Sequence, residues 1–439
     1  MFSTSWQTSP RDYAVTIERG VRIPMDDGVT LDCNVYRPDS GGKFPVILAP
    51  SPYPLEAQEA KMMPVGFIYS RAFIESGDYD FFARRGYVFV IATIRGAHRS
   101  EGVFGNLEPD PRSVEDMVHM VDWAAKQPWS DGNVGMTGVS YFSMMAKRAA
   151  QLSPPNLKAI FSLYGFSDGY RDLFYHGGIF THVFVEQWCR RQSPFFRIEN
   201  RLKAEWGEEK YAEAIQAMLR DGEINSVPAL VAALRNPDAG GAPMLNEIML
   251  NPLDTEYHKP RKVDFARASK VPAYVGADWG MAGLHLPGDV RAYEEWAGPK
   301  KMIIGPPLYL DRPAYQYAFE QLRWFDYWLK GVDTEIMEED PVNLFIVGAN
   351  EWKSAREWPL PETKWTPFYL HVDGLLSEHE FWPGEGASTY EDSPFSHGRL
   401  TFTTPPMVET TEVCGPMVLN LYGSTTDNEI LWFVTVLHV

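Results

Sequence analysis

Ser140 is the residue of this sequence best placed to act as a nucleophile. It lies in Gly138-Val139-Ser140-Tyr141-Phe142, after a short strand pattern at 133–138 and before a helical pattern at 143–152. A serine at a strand-to-helix corner is lifted clear of the backbone, and the positive end of the following helix points at it. Such a corner supplies a nucleophilic hydroxyl and half of an oxyanion hole. Gly-x-Ser alone occurs often by chance, so the surrounding order decides. An apolar strand at 87–92 precedes it, then a helical pattern at 114–126 and the turn Trp129-Ser130-Asp131-Gly132. Strand, helix, strand, helix is the order an α/β sheet requires.

The elements that must hold this corner read as follows. Strands are expected at 14–25, 30–38 and 44–50, with Asp26-Asp27-Gly28 as the hairpin turn between the first two. The continuous apolar runs at 45–50, 87–92 and 300–305 suit strands buried on both faces, hence a parallel sheet covered by helices. From 166 to 262 the pattern turns helical with no convincing buried strand. One long charged helix is expected at 201–220, a shorter apolar one at 227–234, and a loop at 236–241. The sheet resumes at 271–278 and 300–306. Beyond 365, strands are expected at 368–372, 399–403, 417–423 and 431–439, which is few for a sandwich. The apolar final run has no turn or charge after Glu429, so an incomplete β domain with an exposed last strand is expected. The divisions are 1–165 and 266–365 for the two parts of an α/β core, 166–265 for a helical insertion, and 366–439 for the β region.

Composition narrows the chemistry. With 439 residues and 45% hydrophobic content, the chain can bury a large core and more than one domain. A net charge of −18 argues against nucleic acid as partner, because phosphate repels such a surface. Cys33, Cys189 and Cys414 are widely spaced, so neither a zinc site nor a disulfide framework is expected, and a reducing, cytoplasmic home is the easier one. The first twelve residues carry no apolar run of a signal peptide, and no stretch approaches the roughly 20 apolar residues of a membrane span. No cofactor is expected, and a homo-oligomer stays open.

An ordered set of motifs carries a family likeness. These are Pro52-Tyr53, Arg95-Gly-Ala-His-Arg-Ser-Glu-Gly102, and Gln127-Pro-Trp-Ser-Asp-Gly-Asn-Val-Gly-Met136 running into Gly138-Val-Ser-Tyr141. Ile304-Gly-Pro306, Trp324-Phe-Asp-Tyr-Trp-Leu-Lys-Gly331 and Gly348-Ala-Asn-Glu-Trp352 follow. The chain resembles the cocaine-esterase and X-prolyl dipeptidyl-peptidase group, the CocE/NonD hydrolases, from about residue 15 onward. The resemblance implies an α/β-hydrolase sheet, a helical cap and a C-terminal jelly roll, here partial. It implies that Ser140 is acylated, that the Tyr141 N–H is one oxyanion donor, and that the Tyr53 hydroxyl is the other. The local chemistry agrees for Tyr53: Pro54 has no N–H to donate there.

The sequence departs from the family at the rest of the triad. Family members place an aspartate just after the tryptophan that follows the seventh strand; here Trp279 is followed by Gly280 and Met281, and Asp278 precedes it. Their histidine follows the Gly-Pro of the eighth strand, where this chain has Tyr309 or a neighbour. No histidine lies between His285 and His371, and Ser143 stands where many relatives have glycine. A serine needs a base, and the candidates are His285 with Asp278 or Asp311 to orient it, then His98, then His176 and His182. Arg95 is expected to brace the loop after strand four, and Asp326 to be structural. The aromatic stretch 170–196 lines an acyl pocket or simply stacks in the cap. The expected function is hydrolysis of small-molecule carboxylic esters or small amides through an acyl-serine. Acyl transfer on the same fold, or a catalytically silent binding protein lacking the base, are the alternatives.

Overall fold

A computed structural model describes residues 9–59, 75–307, 317–393 and 396–437. Ten strands among them form one sheet: β1 Val15–Pro24, β2 Thr30–Pro38, β3 Phe44–Ser51, β4 Val88–Thr93 and β5 Ser130–Val139, then β6 Leu157–Leu163, β7 Ala273–Asp278, β8 Lys300–Gly305, β9 Val342–Ile346 and β10 Glu351–Ala355. Their spatial order is β1-β2-β4-β3-β5-β6-β7-β8-β9-β10. β1 pairs antiparallel with β2, and β2 with β4. From β4 through β9 every pairing is parallel. The apolar runs explain this: every residue of β4 is buried, as a strand covered on both faces requires. Each fully buried large apolar side chain there contributes about 1.5–3 kcal/mol.

Among the described residues, the long helices that flank the sheet include α1 Pro111–Lys126, α2 Tyr141–Leu152, α3 Leu286–Glu295 and α4 Ala318–Lys330. α1 starts where Asp110 accepts a hydrogen bond from the Ser113 N–H, with a proline in its first turn. In α4, Asp326 accepts from the Tyr87 and Ser9 hydroxyls and pairs with Lys330, so it is structural. The parallel strands point their C-terminal ends toward one edge, which is where an open α/β sheet builds its crevice.

Between β6 and β7 the chain forms the helical insertion. It opens with a π-helical turn, Tyr170–Phe174, and a two-residue hairpin, Tyr175–His176 with Ile179–Phe180. The helices His182–Gln192, Arg201–Trp206, Glu208–Met218, Pro228–Arg235 and Ala242–Met249 follow. The single helix expected over 201–220 is two helices. Gly207 has φ +80°, outside helical geometry, and Asn200 caps the first helix. The cap is tied to the loop after β4: Arg197 and Gly96 share a backbone bond of 2.8 Å, as do Phe104 and Arg197, and Phe104 stacks on Phe196. Arg95 braces that loop from below with paired bonds of 2.8 Å to Asp116 and one of 2.8 Å to Asp27.

The chain divides into one unit of Met1–Ser354 with Leu431–Val439 and a second of Ala355–Ile430. In the second, Tyr369–Leu370 pairs with Leu376–Ser377, and Asp392–Ser393 with Ser396–His397. Of the strand expected at 368–372 only these two residues form. Those expected at 399–403, 417–423 and 431–437 are not strands, and 438–439 lie outside the described residues. Alternating apolar residues make a strand only when a neighbour accepts their backbone bonds. Here Phe433 and Leu437 are exposed, at 78% and 73%. Among the described residues no helix is long and apolar enough to cross a membrane.

Candidate active site

Ser140 occupies the turn between β5 and α2 with φ 60° and ψ −119°, a backbone conformation that a non-glycine residue adopts only at a cost of about 1–3 kcal/mol. Its surroundings over-determine it. The Ser140 N–H donates to the Tyr164 carbonyl at the end of β6 (3.0 Å), and its carbonyl accepts from Met144 (3.0 Å). The Val139 N–H donates to the Glu75 carbonyl at 2.8 Å. Gly138 has φ +131°, and a Cβ there would come 2.3 Å from that of Phe142. This glycine is what lets the chain turn so tightly. Ser140 itself is partly exposed, whereas Tyr141 and Phe142 are buried. Its hydroxyl is thus reachable while its backbone is fixed.

Tyr53 comes from the loop after β3, where its N–H donates to the Ser51 hydroxyl at 3.1 Å. The Tyr53 hydroxyl accepts from the Trp188 indole N–H at 3.4 Å and lies near enough to the Ser140 side chain to interact with it. Burial, then the nearby Glu75 charge, push the phenol well above its usual range, so it stays protonated and can donate. Trp188 belongs to the cap helix His182–Gln192 and lies parallel to the Tyr141 ring, at 10° and 6.4 Å. The aromatic stretch therefore contributes at least this one side chain to the site. The Tyr141 hydroxyl donates to the Asn106 carbonyl at 3.1 Å, which anchors the residue whose N–H opens α2.

Beneath the elbow lies a buried polar cluster. Ser143 shares a 2.6 Å hydrogen bond with Ser162, and a Cβ on Gly165 would collide with it at 2.2 Å. A serine at 143 is thus matched by a glycine at 165. Lys147 pairs with Asp289 of α3 and donates to the Gly165 carbonyl at 2.9 Å; Asp289 accepts from the Gly165 N–H at 3.0 Å.

The expected base falls beside this cluster. His285 is fully buried, stacked against Phe166 (6° and 6.1 Å) and edge-on to Tyr164. Burial and the charge of Lys147 push its pKa down to about 3. It also immediately precedes α3, where the helix dipole opposes a cation. A general base must become an imidazolium, and all three features disfavour that ion. Asp278 ends β7 across from Gly305 and accepts from the Gly280 N–H at 2.7 Å, closing its own turn. No hydrogen bond or ion pair among the described residues joins it to His285. Tyr309 and Asp311 lie outside the described residues. His98 (φ 49°) stacks on Phe195 of the cap, and burial lowers its pKa. His176 sits on the cap hairpin and His182 opens the cap helix, and no described bond joins either to Ser140.

One group was not anticipated. Glu75, on the segment leading into Gly77 and the short helix Tyr79–Ala83, has its carboxyl Oε2 buried with no hydrogen-bond partner among the described residues. The residue as a whole retains some exposure, but the carboxyl end is enclosed, and burial pushes its pKa up to about 8. A lone acid in an irregular loop carries no periodic or motif signal. Only the fold brings it to the nucleophile.

Residues 27–307, more than half of the chain, match the family of X-Pro dipeptidyl-peptidases (S15 family). The chain belongs to this family. Residues 334–439 match the X-Pro dipeptidyl-peptidase C-terminal non-catalytic domain, in keeping with an α/β-hydrolase fold followed by a β region. The cocaine esterase of Rhodococcus sp. (strain MB1 Bresler) is 28% identical over 388 residues, covering 83% of this chain and 64% of that protein. A CocE/NonD family hydrolase from Staphylococcus aureus superposes with a TM-score of 0.65 at 26% identity, over 83% of this chain and 60% of its own. An alpha-amino acid ester hydrolase shares the fold at a TM-score of 0.65 and 20% identity, over 88% of this chain and 66% of its own. The chain thus spans less than two thirds of the length of the cocaine esterase and of the staphylococcal hydrolase.

Proposed function

We propose that this chain is a serine hydrolase that cleaves carboxylic esters or small amides through an acyl-serine intermediate. The observation that carries the reading is Ser140 itself: a non-glycine residue held at φ 60° at a strand-to-helix corner, with a tyrosine hydroxyl in contact. Ser140 Oγ attacks the carbonyl carbon. The charge that develops on the carbonyl oxygen is met by the Tyr141 N–H at the start of α2 and by the Tyr53 hydroxyl. Leaving-group departure gives the acyl-serine, and water releases the acid by the same route. Trp188 and Tyr141, stacked beside the nucleophile, suit an apolar or aromatic acyl group. The free cysteines Cys33 and Cys189, both buried, support a cytoplasmic setting.

A panel of p-nitrophenyl and phenyl esters alongside X-Pro amides, with intact-mass analysis after a fluorophosphonate, tests this. Turnover and a single adduct on Ser140 are expected. Absence of both at any pH between 6 and 10 would overturn the assignment.

A further inference from the structure

Resting on the acyl-serine reading above, we propose that the buried ion pair Lys147–Asp289 positions the nucleophile, acting through the peptide that joins Tyr164 to Gly165. That peptide is bonded at both of its polar groups. Its carbonyl, on Tyr164, accepts from the Ser140 N–H at 3.0 Å. Its N–H, on Gly165, donates to Asp289 Oδ2 at 3.0 Å. In a trans peptide these groups point in opposite directions, so Asp289, the peptide and the Ser140 N–H form one line of hydrogen bonds. The other carboxylate oxygen, Oδ1, pairs with Lys147, whose ammonium also donates to the Gly165 carbonyl at 2.9 Å. The chain leaving β6 is thus gripped on both sides of Gly165.

Each part of this clamp has a physical reason. Tyr164 has φ 53° and Ser140 φ 60°, both positive in non-glycine residues, and such residues stay there only where their surroundings enforce it. Tyr164 is held on one side by its N–H, which donates to the Gly276 carbonyl at 2.6 Å, and on the other by the peptide bonded to Asp289. A Cβ on Gly165 would lie 3.1 Å from Lys147 Nζ as well as colliding with Ser143, so glycine is what lets the ammonium reach this carbonyl. Asp289 sits in the first turn of α3, where the helix dipole favours an anion. The same turn is tied to the segment again, the Ser167 hydroxyl donating to the Gly288 carbonyl at 2.7 Å.

A pair buried this completely adds little net stability, because the desolvation of two charges offsets their attraction. Its contribution is to geometry. In a low-dielectric interior, a carboxylate at the amide N–H polarises the peptide and strengthens its carbonyl as acceptor for Ser140. Both side chains lie beneath the elbow, so they reach turnover only through the Ser140 backbone. Loosening that backbone displaces Ser140 Oγ and the adjacent Tyr141 N–H together, which misaligns attack and oxyanion contact at once. The crevice that binds substrate is left in place. A lower kcat at nearly constant KM is therefore the signature of the clamp.

The test replaces the pair without stranding a charge. Lys147→Met combined with Asp289→Leu removes both ions, an exchange that buried pairs tolerate, and takes away the acceptor for the Gly165 N–H. We expect kcat to fall about tenfold with KM within about twofold, and fluorophosphonate labelling of Ser140 to slow in parallel. Lys147→Met combined with Asp289→Asn restores an acceptor at that position and should recover most of the loss, which a role in packing alone would not produce. A leucine variant within about threefold of the wild-type kcat overturns the clamp, as does a loss carried by KM or one that asparagine leaves unrepaired. Should the leucine variant fail to fold, amide exchange in the wild type is read instead. Ser140 and Gly165 N–H groups exchanging within about tenfold of each other support the shared peptide, and a wider gap overturns it. Labelling separates this from the broader reading. A wild type that never labels refutes the acyl-serine itself, whereas equal labelling of wild type and the leucine variant refutes only the clamp.

Discussion

The two ends of the crevice edge are built on different principles. On the β3–β5 side, Ser140, Tyr53 and Tyr141 are held by short-range constraints: a positive φ, a glycine with no room for a Cβ, and backbone bonds from neighbouring strand ends. On the β7–β8 side, where relatives carry the acid and histidine, Asp278 closes its own turn and His285 is packed among aromatic rings beside Lys147. On the first side Ser140 is strained and partly exposed; on the second, Asp278 and His285 are themselves buried. Strain persists only where surrounding structure enforces it, which is why the proposed chemistry is placed at Ser140.

The comparison breaks most sharply at the nucleophile. Ser140→Ala should lower turnover by about 10³-fold or more and abolish fluorophosphonate labelling. Labelling that persists would place the reactive centre elsewhere.

Tyr53→Phe comes next. It removes one hydroxyl that touches Ser140, and kcat should fall by about 10²–10³ with KM nearly constant. A raised KM at unchanged kcat would instead make Tyr53 a substrate-binding residue.

Gly138→Ala probes the strain directly. With φ at +131° and a 2.3 Å approach to Phe142, the added methyl should destabilise the chain by about 1–3 kcal/mol, read as a lower urea midpoint. It should also slow labelling about tenfold by moving Ser140 off its contact with Tyr53. Unchanged stability would show that the elbow tolerates a side chain and stores no strain there.

How much of this was legible in the sequence follows the same division. The parallel strands and the strand-to-helix corner are legible because local constraints are written in adjacent residues, in apolar runs and Gly-x-Ser-Tyr, whereas Tyr53 was singled out by the family resemblance, with which the proline after it agrees. Within the helical insertion the break at Gly207 was missed, since a charged alanine-rich pattern continues across it. The C-terminal strands were overread, because period-two apolarity states which face would be buried and says nothing of whether a partner strand is there. Glu75 was invisible, a single acid joined to the strand before Ser140 through the Val139 backbone bond. His285 was read by elimination, and elimination cannot see burial.

His285 therefore gives the finest discrimination and the smallest expected effect. His285→Gln should leave kcat within about threefold, while costing about 1–2 kcal/mol of stability through lost ring packing. The pH dependence of that stability has a definite sign. The folded imidazole titrates at about 3 against an ordinary 6.5, so on acidification the unfolded chain binds the proton first. Stability is fully present above about 6.5 and is lost as pH falls toward about 3. The glutamine variant, having no proton to gain, should lose that part of the wild type's acid sensitivity, measured as the difference in urea midpoints between pH 7 and pH 5. A kcat lower by 10² or more at unchanged KM would return the base to His285 and join the two sides of the crevice into one ordinary triad.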